Sequence, residues 1–409
     1  MFAAQARVAS AAPAIQQGKL AQLEALRGVA ALIVVAWHFL WAFDPASLGM
    51  ISGYDSSPTL VGSVALAPID GPAAVTLFFV LSGFVLPLGY FRSGRTDVVV
   101  RAAAKRWFRL VCLTLLAVML SYLLFRCGLY HQREAGELTG STWLATFGGD
   151  HPHLNFHPSL FGALSEGTFL AFLREPDSYV PMLWTMHHEF IGSFLTFFLA
   201  VVMARSSVSV ALWFLLGAAM IVQFTDPWLI AFVAGTGLAW LMSRHELRLP
   251  ASASFAAIAL GVFLFGYLEP TGAYAQFPGM YDAHTMRYDR ISIHTASAVL
   301  IMLALLGSRL GGMLAFPAFR LLGRLSFPVY LFHFPLMCSL ASGLFVSLRP
   351  RMSYAETISI VAAAYGLAVL GVAYLFARVD ETWLGYVNAY SARLFRPRQS
   401  HPHALPRKV

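Results

Sequence analysis

Few residues in this chain combine a reactive type with a spacing able to use it. The first two lie in EALRGVAALIVVAWHFLWAF, residues 24–43, where ten residues separate Arg27 from His38. On a helix that interval is three turns plus about 20°, so the two share one face, about 16.5 Å apart along the axis. Ala31 and Val34, both small, lie between them on that face. A histidine several residues inside an apolar helix offers a neutral ring suited to general-base work. An arginine near the helix start suits the headgroup region or a bound anion.

A second set sits in LWTMHHEFIGSFLTFF, residues 183–198. Thr185, Glu189, Ser193 and Thr196 recur at i, i+4, i+8 and i+11, a polar stripe on an otherwise apolar helix. Glu189 falls about two turns below the helix start, close to the depth expected for His38, which makes His38 and Glu189 a candidate catalytic pair. His187 and His188 adjoin Glu189, but HHE lacks the HExxH spacing that puts two ligands on one face, so no metal site is expected.

In RAAAKRWFRL, residues 101–110, Arg106 and Arg109 stand three apart, a geometry suited to phosphate and also to anchoring at anionic lipid. In GRLSFPVYLFHFPL, residues 323–336, Ser326, Tyr330 and His333 fall on one face between Pro328 and Pro335. Prolines inside a membrane helix free carbonyls that neighbours must satisfy, so these three form a candidate site wall. Cys112, Cys127 and Cys338 are too far apart in sequence to read as a disulfide framework.

The elements that must position these residues are membrane helices. Of 409 residues 58% are hydrophobic and 12% charged, and the mean hydropathy is +0.66, beyond what a soluble domain carries. The expected fold is all-α, a polytopic bundle of ten spans near 25–43, 69–90, 107–125, 182–204, 207–222, 227–243, 251–267, 293–310, 327–347 and 355–377. Most of the 28 Lys and Arg fall in the segments that are cytoplasmic if both termini are inside. The net charge of +8 is therefore an orientation signal, and no nucleic-acid partner is expected. The first twenty residues lack a continuous apolar core, so no cleaved signal peptide is expected. The expected organisation is a disordered cytoplasmic segment 1–22, a membrane domain 23–380 and a basic cytoplasmic tail 381–409. An outer loop, 126–180, carries HPHLNFHP and could lie over an outer opening.

Taken together, RGVAALIVVAWH, FFVLSGFVL (78–86), RWFR (106–109), the LWT…E block (183–189) and LSFPVYLFHFP resemble the acyltransferase 3 family of integral membrane enzymes. The resemblance extends over nearly the whole chain. It implies transfer of an acyl group from cytoplasmic acyl-CoA, with acetyl-CoA the expected donor, to a hydroxyl of a cell-surface or exported carbohydrate or glycolipid. It also implies residence in a bacterial inner membrane among its lipids, and no bound cofactor. The family's first-helix histidine falls on His38, its basic residue on Arg27, and its paired arginines on Arg106 and Arg109, the last three as acyl-CoA-binding residues. Where the family often reads WSLxxE, this chain has WTMHHE; Glu189 carries over, here as a partner that orients His38. FFVLSGFVL reads as mainly structural, with Ser82 and Gly83 permitting close helix packing. The alternative is a transporter or flippase of a glycan or lipid-linked intermediate, since charged residues on broken helices also line substrate paths.

Overall fold

The computed structural model describes residues 17–49, 60–149, 156–174, 179–277 and 286–394. Residues 1–16, most of the HPHLNFHP run and the end of the basic tail lie outside the described residues. Those described contain helix and no strand, and a long helix stands at each expected span. In chain order the long helices are α1 Gln17–Phe43, α2 Gly71–Val85, α3 Thr96–Arg126, α4 Trp184–Arg205 and α5 Val208–Thr225. They continue with α6 Leu229–Arg244, α7 Ala251–Phe265, α8 Met286–Gly307, α9 Pro317–Leu336 and α10 Tyr354–Leu394. Among the described residues eight helical stretches are long and apolar enough to cross a bilayer, whereas α6 and α7, at 16 and 15 residues, are shorter. The chain is a polytopic helical membrane protein.

Several boundaries move, for local reasons. Helix α1 starts at Gln17, inside the segment expected to be disordered. Helix α3 starts at Thr96, not near 107. Gly94 closes the short helix Leu88–Ser93 in the left-handed region (φ 64°), and Asp97 then adds a negative charge to the first turn of α3. Arg106 and Arg109 are thus helical residues. Helix α10 runs on through 381–394, part of the expected tail, where Gly385 is the sole helix-weakening residue before Pro397. At 41 residues it is about 61 Å long, well beyond the thickness of a bilayer.

The segment 126–180 also departs from a plain loop. After Gln132–Thr139 and Thr142–Ala145, an apolar helical stretch spans Leu160–Leu173. It runs back along α3: Trp107 Nε1 donates to the Thr168 carbonyl at 2.9 Å, Phe169 stacks on Trp107, and Gly167 lies against the Leu115 backbone. The chain then returns to Tyr179, whose carbonyl accepts from Ser121 Oγ. Fourteen residues make about 21 Å of helix, short of a full crossing of about 30 Å. Among the described residues, Gln132–Thr139 and Thr142–Ala145 lie against α1.

The core is organised around α1 and α9, which make the most extensive contact in the bundle. Their backbones meet. A Cβ added to Gly28 would come within 2.5 Å of the Leu322 carbonyl carbon, and one added to Gly323 within 2.5 Å of the Glu24 carbonyl oxygen. Gly83 on α2 and Gly235 on α6 make the same kind of reciprocal contact, against the Phe232 and Val80 backbones. Lipid gives no hydrophobic drive to helix association, so close packing of small residues carries much of it. Gly28→Ala should therefore lower the thermal stability of the purified protein in detergent. Gly371→Ala on α10, with nothing within 4 Å of the added carbon, should leave it unchanged or raised.

Candidate functional site

The face of α1 predicted to carry chemistry points into the bundle. Ala31 and Val34 are fully buried and His38 is 9% exposed. His38 Nδ1 lies 3.0 Å from His333 Nε2, and His333 Nδ1 lies 2.6 Å from the Tyr330 carbonyl oxygen. A carbonyl only accepts, so His333 Nδ1 carries a hydrogen. With both rings neutral, His333 Nε2 must then be the acceptor and His38 Nδ1 the donor. His38 Nε2 is left with its lone pair and makes no hydrogen bond among the described residues. The bonding chain thus makes His38 Nε2 the basic nitrogen.

The imidazole is held from the other side by Trp143, stacked at 5.2 Å with 3° between the planes. Trp143 in turn stacks on Trp41, and Ser141, which caps the short helix Thr142–Ala145, donates from Oγ to the Trp41 carbonyl at 2.6 Å. Part of the long segment between α3 and α4 therefore fixes the ring orientation of His38.

Glu189 is not the partner of His38. Its Oε1 pairs with Arg106 and accepts from Ser82 Oγ at 2.8 Å; Arg106 Nε donates to Ser193 Oγ at 2.6 Å, and Ser193 Oγ donates to the Glu189 carbonyl. The expected common depth does not hold: Glu189 is within electrostatic reach of Arg27, three turns from His38 on α1, and α4 meets α3 and α2 here, whereas His38 faces α9. The correction reaches two further residues. Arg106 is engaged by a carboxylate, and Ser82, read as a packing residue, belongs to the ionic cluster. Gly83 does pack as expected.

A cavity of about 760 Å³ opens among these groups. It begins at the end of the bundle bearing Arg95, Arg101, Lys105 and Arg324, passes Arg27, Arg106, Arg109 and Glu189, and ends at Phe78, Thr185, Met186 and Tyr330. Arg27 Nε is buried without a hydrogen-bond partner, and no ion pair engages Arg27 or Arg109 among the described residues. These two and Lys105, which bonds only the neutral Asn388 side chain, are cavity cations without an ion pair among the described residues. Of the expected wall, Ser326 and Tyr330 line the cavity while His333 turns toward His38. The Tyr330 hydroxyl bonds the Met182 carbonyl at 3.0 Å and Thr185 Oγ1 at 2.9 Å, and the Tyr330 carbonyl holds His333. Tyr330 is the part of the cavity wall next to the imidazoles. His187 and His188 diverge, His187 Nδ1 to the Phe172 carbonyl and His188 Nε2 to Asp226 at 3.3 Å.

The Arg106–Glu189 pair yields a stability test. Removing one member leaves the other charge buried, at a cost of about 3 to 5 kcal/mol, whereas replacing both by apolar residues of similar size is often neutral. Arg106→Met and Glu189→Leu should each lower thermal stability in detergent, and the double substitution should recover much of the loss. Additive losses would show that the two do not act as a pair.

The model of the family described as acyltransferase domain matches residues 20–378. No curated protein and no solved structure matches the chain. With the match extending from the start of α1 almost to the ionic residues of α10, the chain belongs to the acyltransferase 3 family.

Proposed function

We propose that this acyltransferase moves an acyl group from cytoplasmic acyl-CoA to a hydroxyl of an exported or cell-surface carbohydrate, in a bacterial inner membrane with both termini cytoplasmic. The observation that carries the reading is a cavity that opens among cations, holds two unpaired guanidinium groups and ends at Tyr330, whose carbonyl holds His333, which in turn accepts from His38 Nδ1 and leaves His38 Nε2 free to act as a base. The Lys and Arg distribution supports a cytoplasmic position for that basic mouth. Arg109 and Arg27 are the groups that would gain charge-assisted bonds to the phosphates of acyl-CoA. The thioester would extend inward, past Tyr330, to His38. The acceptor would approach from the opposite end, where the Trp41–Trp143 stack covers His38.

In the proposed reaction His38 Nε2 takes the acceptor hydroxyl proton as that oxygen forms a bond to the thioester carbonyl carbon. The tetrahedral intermediate collapses with cleavage of the carbon–sulfur bond, and the departing thiolate takes the proton from the His38 imidazolium, giving ester and free thiol. His333 replaces Glu189 in the expected supporting role. It fixes the tautomer of His38, and its Nε2 can share the Nδ1 proton while His38 is charged. Direct transfer accounts for the arrangement; an acyl-histidine route would differ by exchanging label between acyl-CoA and CoA without acceptor.

In membranes supplied with labelled acyl-CoA, label should enter a surface glycan whether or not ion gradients are collapsed. His38→Ala should reduce transfer by about 10²- to 10⁴-fold with normal insertion. His333→Ala should reduce it less, and His333→Gln, whose carbonyl can still accept from Nδ1, should recover part of that loss. Near wild-type transfer by purified His38→Ala would refute the assignment.

A further inference from the structure

The cavity holds one more polar group that the reaction does not use. Asp380, on the part of α10 just past the expected end of its span at residue 377, lines the cavity, and its Oδ1 is buried and accepts no hydrogen bond among the described residues. The other charged groups near the mouth are largely matched: Arg95 and Arg101 with Asp97, and Arg324 with Glu381, Nε to Oε1 at 3.0 Å. The α10 extension is fixed in place. Trp383 Nε1 donates to the Phe108 carbonyl at 2.6 Å, and Lys105 Nζ donates to Asn388 Oδ1 at 3.1 Å. Asp380 thus stands as a held acceptor on the cavity wall. An unsatisfied buried acceptor is costly, so such a group in a native cavity calls for a ligand donor.

Its level narrows the choice of donor. Asp380 is within electrostatic reach of Arg109 on α3 and of Glu381 on its own helix. Arg109 is likewise within reach of Arg27. Along α3, counted from the basic end, Arg95, Arg101 and Lys105 come before Arg109. Asp380 therefore sits below the outermost cations and beside Arg109, so a donor whose phosphates are held by Arg27 and Arg109 would bring the start of its uncharged arm past it. We infer that Asp380 is a donor-recognition residue that accepts a hydrogen bond from an amide N–H or hydroxyl of the pantetheine arm, an inference that rests on the acyl-CoA reading above. A carboxylate among cations opposes phosphate binding by charge alone. Its presence fits a group selected for hydrogen bonding to the neutral part of the ligand.

The experiment measures the affinity of the purified full chain for acetyl-CoA and for the uncharged thioester S-acetylpantetheine by calorimetry. Asp380→Ala should weaken S-acetylpantetheine binding about tenfold, the effect of losing a hydrogen bond to a charged acceptor. Asp380→Asn, which keeps a carbonyl acceptor at the same size, should retain most of the affinity. Unchanged S-acetylpantetheine binding with tighter acetyl-CoA binding would reduce Asp380 to a charge effect and overturn the inference, as would no change with either ligand. Failure of the wild type to bind either thioester would instead overturn the donor reading itself.

Discussion

Everything near the candidate site depends on how closely α1 and α9 approach. With Gly28 and Gly323 set against each other's backbones, the two helices are near enough for side chains further along to meet directly. His38 and His333 then stand at hydrogen-bonding distance. A wider crossing would leave each imidazole to find another partner. The same contact holds Arg27 beside the cavity that Ser326 and Tyr330 also line. One packing event therefore sets both the His38–His333 pair and one wall of the cavity.

The second constraint is the cost of ionisable groups away from water. Charged groups in the middle of a bilayer cost several kcal/mol unless they meet partners or a polar cavity. The chain answers this in three ways. Arg106 and Glu189 neutralise one another, with Ser82 and Ser193 completing their bonds. His38 and His333 share a hydrogen bond as neutral rings. Arg27 and Asp380 do neither, and each keeps a buried atom without a partner at the cavity wall. In the first two arrangements the groups satisfy one another within the bundle, and in the third they keep bonding capacity to spare on the cavity wall. Tyr330 joins the two regions, its side chain on the cavity and its carbonyl on His333.

Much of this was legible in the sequence. Hydropathy and length located the helices because an apolar run long enough to span lipid has few alternatives. Helical periodicity put Arg27, Ala31, Val34 and His38 on one face, and that face is inside. Such arithmetic fails at segment ends and in short apolar runs. The stretch Leu160–Leu173 is too short to read as a span, and the charged residues of 381–394 read as tail because charge says nothing of whether a helix continues.

By itself, then, the sequence determined the helical membrane architecture, the family and the residues with a chemical reason to matter, since these follow from composition, periodicity and motif. Tertiary structure alone decided which of them meet. Position on a helix specifies depth and direction but not the neighbouring helix in that direction. Glu189 and His38 were expected to meet, yet one faces Arg106 and Ser82, within reach of Arg27, and the other faces His333. Only the packing of α1 on α9, and of α4 against α2 and α3, could assign a histidine to hold a histidine and leave Arg27, Arg109 and Asp380 open to a ligand.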